Sequence, residues 1–264
     1  MITSTSNATI RSIRSLNNRK YRDELQIGYV EGIRVVRSAI ELQSHLIEKI
    51  ILAPDLLTSA STKQVIQKAQ KDDISIIEVS KQVFQKISKR DGPQGIAAIV
   101  RQNWTTLEDI IPENNSLWVA LASSGNPGNI GTILRTLDAV GGSGIILLGP
   151  SADPWDPTSI RASTGAIFNC TLIRSNWSKL KKWAQFNNFS LIGATDEATA
   201  NYRTIEYPNN TILVMGSEQS GLDIAQKKEC SNLVSLPMIG SVDSLNLSVA
   251  CSIILYEIMS QQMS

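Results

Sequence analysis

Apolar and polar positions follow two different spacings along the chain, and together they predict strands that alternate with helices. In the first 103 residues, short apolar runs predict strands at 27–30, 47–52, 74–79 and 95–100. Stripes with helical spacing predict helices at 33–44, 62–70 and 81–88. The first ten residues, rich in Ser, Thr and Asn, predict a loose terminus. The front half is therefore expected to form a small, layered α/β domain.

A second pattern begins after residues 104–115, whose polar and acidic residues and Pro112 predict a linker. Buried strands are predicted at 117–122, 145–148, 170–173, 190–195, 211–215 and 233–236. Helices are predicted from about 131 to 140, partly over 158–167, over 178–186 and 223–228, and from 247 to 258. This order predicts a parallel α/β sheet, in which ligands bind at the carboxyl ends of the strands. The predicted domains are 1–103 and 116–264, with 104–115 as the linker.

The composition excludes several classes of protein. With 264 residues and 42% hydrophobic residues, the chain can form one large or two ordinary domains. No apolar run approaches the ~18 residues of a membrane span, and the first residues lack the apolar centre of a signal peptide, so a cytoplasmic protein is expected. Cys170, Cys230 and Cys251 are too widely spaced for a disulfide framework or a zinc cluster. His45 has no evident partners, so chemistry without histidine or a metal ion is expected.

Charge is unevenly distributed along the chain. Residues 1–103 carry 16 Lys and Arg against 10 Asp and Glu, whereas residues 104–264 carry 9 against 14. This asymmetry indicates a front half that faces nucleic acid, although an ordinary basic surface has the same signature. The candidates for contact with phosphates are Arg11, Arg14, Arg19, Lys20, Arg22, Arg34 and Arg37. Two pairs among them have the i, i+3 spacing that places both side chains on one helical face.

Three polar loops that contain glycine follow predicted strands in the second half, at 126–135, 215–222 and 235–250. None has the G-x-G-x-x-G spacing of a dinucleotide site or the Gly-Lys-Ser/Thr of a P-loop. Taken singly, their polar residues have structural explanations: Asn129 and Ser244 as helix N-caps, Asn246 in a first helical turn, Glu218 as a solvated carboxylate, and Arg135 as a surface arginine.

As an ordered set, the loops resemble the three motifs of the SpoU (TrmH-type) RNA ribose 2′-O-methyltransferases. The motifs are Asn126-Pro127-x-Asn129-x-Gly131-x-x-x-Arg135, Val214-Met215-Gly216-Ser217-Glu218-x-x-Gly221-Leu222 and Leu236-Pro237-Met238-x-Gly240-Ser241-Val242-x-Ser244-Leu245-Asn246. Residues 161–168 resemble a further family segment between the first two motifs. The front domain is similar to the family's ribosomal-protein-like RNA-binding module, around Arg19-Lys20-Tyr21-Arg22 and Val30-Glu31-Gly32.

The resemblance implies a small ribosomal-protein-like α/β RNA-binding domain followed by a parallel-sheet α/β methyltransferase domain that ends in a trefoil knot, the SPOUT fold. It implies S-adenosyl-methionine as the cofactor, RNA as the substrate, and a homodimer paired through the knot domain. The implied cofactor-binding residues are Gly216, Leu236, Met238 and Leu245. The candidates for catalysis are Arg135, Asn129, Glu218, Ser244 and Asn246. No metal ion is implied.

The expected reaction is transfer of a methyl group to a ribose 2′-hydroxyl, in 23S ribosomal RNA. A tRNA ribose 2′-O-methyltransferase and a catalytically silent RNA-binding or ribosome-assembly protein of the same fold remain alternatives. Two roles are open for Arg135. In the family the matching arginine has been proposed as the base, but an arginine side chain holds its proton at neutral pH. Alternatively, Arg135 holds the adjacent phosphate, and the proton leaves through solvent or the Ser244 hydroxyl.

Overall fold

The computed structural model describes residues 1–58 and 60–263. The α-helices are α1 Ala8–Ser15, α2 Arg19–Leu25, α3 Ile33–Gln43, α4 Ala60–Lys71, α5 Lys81–Ile87, α6 Pro127–Ala139, α7 Pro157–Ser163, α8 Trp177–Phe186, α9 Ile224–Glu229 and α10 Leu247–Gln262. The strands are β1 Ile27–Glu31, β2 Ile47–Leu52, β3 Ile76–Glu78, β4 Ile96–Arg101, β5 Leu117–Leu121, β6 Gly144–Leu148, β7 Thr171–Ser175, β8 Ser190–Ala194, β9 Thr211–Met215 and β10 Asn232–Val234. None of the helices in these residues is long and apolar enough to cross a membrane.

Two compact units share the chain, and each has its own sheet. The first contains Met1–Asn103 and Asp153–Asn169, and the second contains Trp104–Ala152 and Cys170–Ser264. The start of the predicted linker packs on the second unit, where Thr105 pairs with Ile173 and Leu107 is buried in the core. Residues 153–169, which the sequence analysis assigns to the catalytic domain, pack with the first unit.

The first unit contains a four-stranded mixed sheet in the order β1-β4-β2-β3. Strand β4 is antiparallel to both β1 and β2, and β3 is parallel to β2. Apolar residues of α1 and α5, among them Ile10 and Phe84, pack against Ile51 and Ile99 of the sheet. The prediction of a small α/β domain is confirmed, and its strand β3 is shorter than the predicted 74–79.

The prediction of a loose N-terminus is wrong. Ile2 N donates to Glu78 O at 2.7 Å, and Ile2 O accepts from Ser80 N at 2.9 Å, so the first residues extend the sheet at β3. Asn7 caps α1, whose Ile10 and Ile13 are buried. Isolated isoleucines among polar residues give a weak local signal, but tertiary packing holds each of them in place.

Residues 153–169 are anchored in the first unit by Trp155. The indole is 1% exposed and lies against Gly28 of β1, where an added Cβ would be 2.9 Å from Trp155 Cε3. Its ring meets Phe168 edge to face, with centroids 6.1 Å apart. Glycine at position 28 therefore leaves the space that the tryptophan fills.

The second unit contains a six-stranded sheet in the order β10-β8-β9-β5-β6-β7, and every neighbouring pair is parallel. The chain adds β5, β6 and β7 toward one edge, crosses to β8, and then places β9 beside β5. Both β5 and β9 are buried along their whole length, as their continuous apolar runs predict. The direction of the winding changes between β5 and β9, which is where sheets of this kind bind ligands.

Candidate functional site

The carboxyl ends of β5 and β9 lie side by side at this switch point. The strands pair from Leu117 opposite Thr211 to Leu121 opposite Met215. Just beyond, Ala122 N donates to Met215 O at 2.9 Å. The loops that follow the two strands therefore leave the sheet next to each other. Strand order alone brings the first two predicted motifs together.

The loop after β5 turns into α6 at Asn126. This residue is the N-cap, because its side chain accepts from Gly128 N at 2.8 Å, and Pro127 occupies the first helical position. Asn129 lies within the first turn, so its structural interpretation as an N-cap is wrong. Its side chain is 6% exposed and points into the interior, toward the loop that follows β9.

The loop after β9 is closed by its own backbone. Ser217 and Gly221 exchange two backbone hydrogen bonds of 3.0 Å, and Gly221 has a φ of +64°. A Cβ added to Gly216 would overlap the backbone of Gly221 and Leu222. A glycine at 216 is therefore required for the close approach of the two loop strands, and Glu218 lies in the turn between them.

A chain of side-chain hydrogen bonds joins all three loops. Asn129 Nδ2 donates to Glu218 Oε1 at 2.7 Å, and Asn246 Nδ2 donates to Asn129 Oδ1 at 3.1 Å. The carboxylate of Glu218 also accepts from Gly125 N at 3.1 Å and from Ser124 Oγ at 3.4 Å. The structure thus brings together three of the predicted site residues, Asn129, Glu218 and Asn246.

Asn246 sets the direction of this hydrogen-bond chain. As the N-cap of α10, its Oδ1 accepts from Ser248 N at 2.9 Å and from Ser248 Oγ at 2.7 Å, which leaves Nδ2 to face Asn129. Asn129 then presents its oxygen to Asn246 and its amide hydrogens to Glu218. The interpretation of Ser244 as the cap, with Asn246 inside the first turn, is therefore wrong.

Ser124 and Gly125 also belong to the site, and neither was predicted from the sequence. Ser124 is fully buried, and Gly125 supplies a backbone donor to Glu218. The sequence does contain one indication of Ser124, since this serine stands between a predicted buried strand and a polar loop. A buried hydroxyl at such a place needs a hydrogen-bond partner. Such a position does not indicate which distant carboxylate the partner is.

Arg135 and Ser244 lie outside the hydrogen-bond chain. Arg135 follows Asn129 by six residues in α6, about 9 Å along the axis and on another face of the helix. Both Arg135 and Ser244 are exposed, and neither side chain forms a hydrogen bond or an ion pair with any described residue. Their side chains are therefore accessible to a bound molecule.

The third loop connects the edge strand β10 to α10 at the switch point. Its apolar residues are unusually accessible: Met238 is 36% exposed, Leu245 is 37% exposed and Ile239 is fully exposed, while Leu236 is half-buried. Gly216 of the second loop contributes a peptide group without a side chain. Peptide donors and acceptors beside apolar side chains suit a flat, uncharged heterocycle such as adenine, so these residues fit the implied cofactor.

The seven predicted phosphate-contacting residues of the first unit separate into two groups. Six are exposed on the first three helices, namely Arg11, Arg14, Arg19, Lys20, Arg34 and Arg37. Arg22 is 2% exposed, so its prediction as an RNA contact is wrong. Its guanidinium donates to Asp153 Oδ2 at 2.8 Å, to Asp156 Oδ2 at 3.3 Å and to Leu16 O at 2.7 Å. The buried pair with Asp153 and the partly buried pair with Asp156 connect α2 to residues 153–169.

The three cysteines are free thiols with raised pKa values. Burial, followed by the charge of Asp138, raises the pKa of Cys170 to about 12. Burial, followed by the charge of Glu229, raises the pKa of Cys230 to about 12, and burial raises the pKa of Cys251 still further. Within residues 1–58 and 60–263, no group of three or more His, Cys, Asp or Glu side chains is arranged to hold a metal ion.

Two family models match the chain, one in each half. The SpoU rRNA Methylase family matches residues 116–256, and an MRM3-like substrate binding domain matches residues 7–98. A curated relative from Streptomyces viridochromogenes, named 23S rRNA (uridine(2479)-2′-O)-methyltransferase, is 30% identical over 94% of this chain and 88% of its own length.

Solved structures resemble the whole chain. The AdoMet-bound rRNA methyltransferase from Sinorhizobium meliloti has 33% sequence identity and a TM-score of 0.89, covering 100% of this chain and 98% of its own. The SpoU methyltransferase AviRb from Streptomyces viridochromogenes, in complex with AdoMet, has 26% identity and a TM-score of 0.87, covering 98% of this chain and 99% of its own.

Proposed function

The chain belongs to the SpoU rRNA methylase family, and from this premise we propose that it transfers a methyl group from S-adenosyl-methionine to a ribose 2′-hydroxyl of 23S ribosomal RNA. The observation that carries the proposal is the hydrogen-bond chain from Glu218 through Asn129 to Asn246, because it assembles all three family motifs at the switch point of the sheet. The full-length similarity to a relative named for 23S rRNA favours ribosomal RNA over tRNA. A substrate of this kind is consistent with a cytoplasmic location.

The cofactor would be held by Gly216, Leu236, Met238 and Leu245, through peptide groups and apolar side chains. It supplies an electrophilic methyl group on a sulfonium. The protein residues must then orient the 2′-hydroxyl and accommodate its proton. We assign Asn129 and Asn246 as positioning residues, because their amide groups are already engaged with Glu218, with Ser248 and with each other.

Arg135 and Ser244 are the candidates that can touch the RNA. Both are exposed and without internal partners among the described residues, so their polar groups are available to a substrate. A guanidinium holds its proton at neutral pH and presents several donors, which suits a phosphate or a developing alkoxide better than proton abstraction. We therefore favour Arg135 as a phosphate clamp and leave Ser244 to orient the 2′-hydroxyl or relay its proton.

The test is methylation of 23S rRNA transcript by the purified protein, with labelled S-adenosyl-methionine and mapping of the modified ribose. Arg135→Ala is expected to bind the cofactor normally in calorimetry and to lose at least about 100-fold in turnover, the scale for loss of an electrostatic stabiliser. Lys182→Ala removes an exposed charge from α8 and serves as the control. Near wild-type turnover by Arg135→Ala contradicts both proposed roles for this residue.

A catalytically silent RNA-binding protein of the same fold is the competing function. Its signature is binding of 23S rRNA without measurable affinity for S-adenosyl-methionine. The intact hydrogen-bond chain from Glu218 through Asn129 to Asn246, together with the exposed Arg135 and Ser244, argues against it. Calorimetry of the wild-type protein with the cofactor separates the two functions.

We also propose a homodimer that pairs through α10 and the third loop. Helix α10 is apolar on nearly all sides: Cys251, Ile254 and Leu255 are buried, while Val249 and Tyr256 on another side are 46% and 51% exposed. An apolar helix with a solvent-facing apolar side is typical of an interface. Tyr256→Glu is expected to convert a dimer into a monomer in sedimentation experiments, and a wild-type monomer contradicts the proposal.

The trefoil knot is a further part of the proposal. The family resemblance implies that the segment leading into α10 passes through a loop formed by earlier residues. Support comes from the return of the chain from edge strand β10 to Asn129, across the carboxyl ends of β8 and β9. A crystal structure traced from Gly216 to Leu247 tests this threading, and an unthreaded path contradicts it.

A further inference from the structure

A cavity of about 290 Å³ lies within the first unit. Its walls come from the end of β1, the turn after α5, and α7. Its charged lining consists of three cations, Lys89 and Arg90 from the turn and Arg161 from α7, and two carboxylates, Glu31 and Asp156, of which Asp156 is paired with Arg22. None of the three was predicted to contact RNA. Within the described part of the chain, none of them forms an ion pair.

The basic turn is held in place by a buried carboxylate. Glu31 is 8% exposed; Ser88 Oγ donates to it at 2.7 Å and Lys89 N donates to it at 3.3 Å. The Tyr29 hydroxyl donates to the same carboxylate at 3.4 Å. Burial, followed by the charge of Glu31, raises the pKa of Tyr29 well above its ordinary value, so the phenol remains a donor. Glu31 is therefore a positioning residue for the cavity wall.

Gly32 provides the space that Arg90 occupies. Its φ is +109°, and an added Cβ would lie 2.6 Å from Arg90 Nη1. Glycine is thus favoured here by the backbone angle, and the end of the flexible Arg90 side chain lies against it. Glu31 and Gly32 were named above only for their part in the family resemblance. In the structure, Glu31 holds the turn that contains Lys89 and Arg90, and Gly32 lies against Arg90.

The cavity has the size and lining of a site for one nucleotide. Its volume is at the lower end of the ~300–1,000 Å³ typical of small-ligand sites. The cations suit a phosphate, and the apolar Ile160 and Pro157 beside Tyr29 offer a surface for a base or ribose. RNA that is not base-paired is commonly recognised by splayed nucleotides that enter pockets of this kind.

We propose that this cavity binds one unpaired nucleotide of the substrate RNA, with its backbone phosphate on Arg90, Arg161 and Lys89. The inference rests on the proposed function for the identity of the RNA. It deepens that function by giving the first unit a defined pocket in addition to its exposed arginines. It predicts that recognition requires an unpaired nucleotide in the substrate RNA.

Binding of 23S rRNA transcript at several salt concentrations tests the proposal. Arg90→Gln and Arg161→Gln are each expected to raise the Kd about five- to tenfold. Each is also expected to reduce the slope of log K against log salt by about 0.7, the value for one phosphate contact on a single strand. Affinity for S-adenosyl-methionine stays within about twofold. Lys71→Gln, on the exposed end of α4, removes the same charge and leaves Kd and slope unchanged.

Chemical protection of Lys89 gives a second measurement that needs no variant. Acetylation of Lys89, followed by mass spectrometry, is expected to slow at least about fivefold when the transcript is bound, whereas Lys71 is unaffected. Unchanged Kd and slope in both arginine variants, or equal acetylation of Lys89 with and without RNA, overturns the proposal. A third outcome also overturns the proposal: Lys89 is protected by millimolar nucleoside monophosphate but not by the transcript. The cavity would then be a site for a free nucleotide.

The outcomes for this pocket and for the proposed function are distinguishable. A wild-type protein that binds the transcript through Arg90 and Arg161 without methylating it refutes the proposed function and supports the pocket. A wild-type protein that methylates the transcript, with an affinity that neither variant changes, supports the function and refutes the pocket.

Discussion

Replacing Asn129 by aspartate perturbs the hydrogen-bond chain at its centre. The substitution preserves the shape of the side chain but exchanges the amide that donates to Glu218 Oε1 at 2.7 Å for a carboxylate oxygen. Asn246 Nδ2 can still donate to the new residue, so the other hydrogen bond of position 129 survives. The change therefore isolates the contact between the first and second loops.

The expected cost follows from the geometry of that contact. Two carboxylates that relax to about 4 Å repel each other by about 4 kcal/mol at an effective dielectric of about 20. Asn129 is 6% exposed, but Glu218 is exposed as a residue, so solvent screens part of this repulsion. Loss of a hydrogen bond to a charged group adds about 1.5–3 kcal/mol before relaxation. We expect Asn129→Asp to lower the free energy of unfolding by about 2–4 kcal/mol at pH 7.5.

Urea unfolding measures this loss, and its pH dependence identifies the cause. Adjacent carboxylates raise the pKa of one of them above its unfolded value, so the native variant binds more protons than the unfolded chain. Its deficit relative to wild type should therefore shrink as the pH falls from 7.5 toward 5. Asn176→Asp, at the N-cap of α8, makes the same chemical change where a negative charge is tolerated. Equal stability of Asn129→Asp and wild type, or a deficit independent of pH, refutes the reasoning.

Three further predictions concern other parts of the chain. Arg22→Ala should lower the free energy of unfolding in urea by about 3–5 kcal/mol, because it leaves Asp153 buried without its cation. Arg19→Ala breaks an exposed ion pair and should lower it by less than about 1 kcal/mol. Gly216→Ala should raise the Kd for S-adenosyl-methionine at least about tenfold in calorimetry, since the added Cβ overlaps the backbone of the loop. Gly240→Ala adds a Cβ in open space and should change this Kd by less than about twofold. Partial burial raises the pKa of Cys230 to about 12, so its thiol should react with a disulfide reagent at pH 8 about 10³-fold more slowly than free cysteine, and rapid labelling contradicts the raised pKa.

The fold was largely predictable from the sequence because its strands are continuous apolar runs. Each predicted strand occurs in the structure, since a stretch such as Leu117–Leu121 has few other ways to bury its side chains. The placement of residues 153–169 was not predictable. Trp155 and Phe168 show from the sequence that this segment has apolar residues to bury. They do not show that Trp155 packs against Gly28, which is more than 120 positions away in the chain.

The candidate site was predictable in its membership and not in its internal roles. The motifs identify Asn129, Glu218 and Asn246, and the structure joins these residues through hydrogen bonds. Arg22 was mistaken for a surface contact because it closely follows the basic residues Arg19 and Lys20 in the sequence. Its acidic partners Asp153 and Asp156 are distant in sequence, and a local count of charges contains no information about them.

The structural and functional interpretations of the third motif are not alternatives. Asn246 caps α10 with its oxygen, and this capping bond determines that its amide nitrogen faces Asn129. Because an amide has one acceptor and one donor end, the orientation passes to Asn129 and from there to Glu218. Formation of the first turn of α10 and alignment of the carboxylate are therefore coupled events. An Asn246→Asp variant retains the capping oxygen but removes the donor, so it should preserve α10 and release Asn129, separating the two contributions of one side chain.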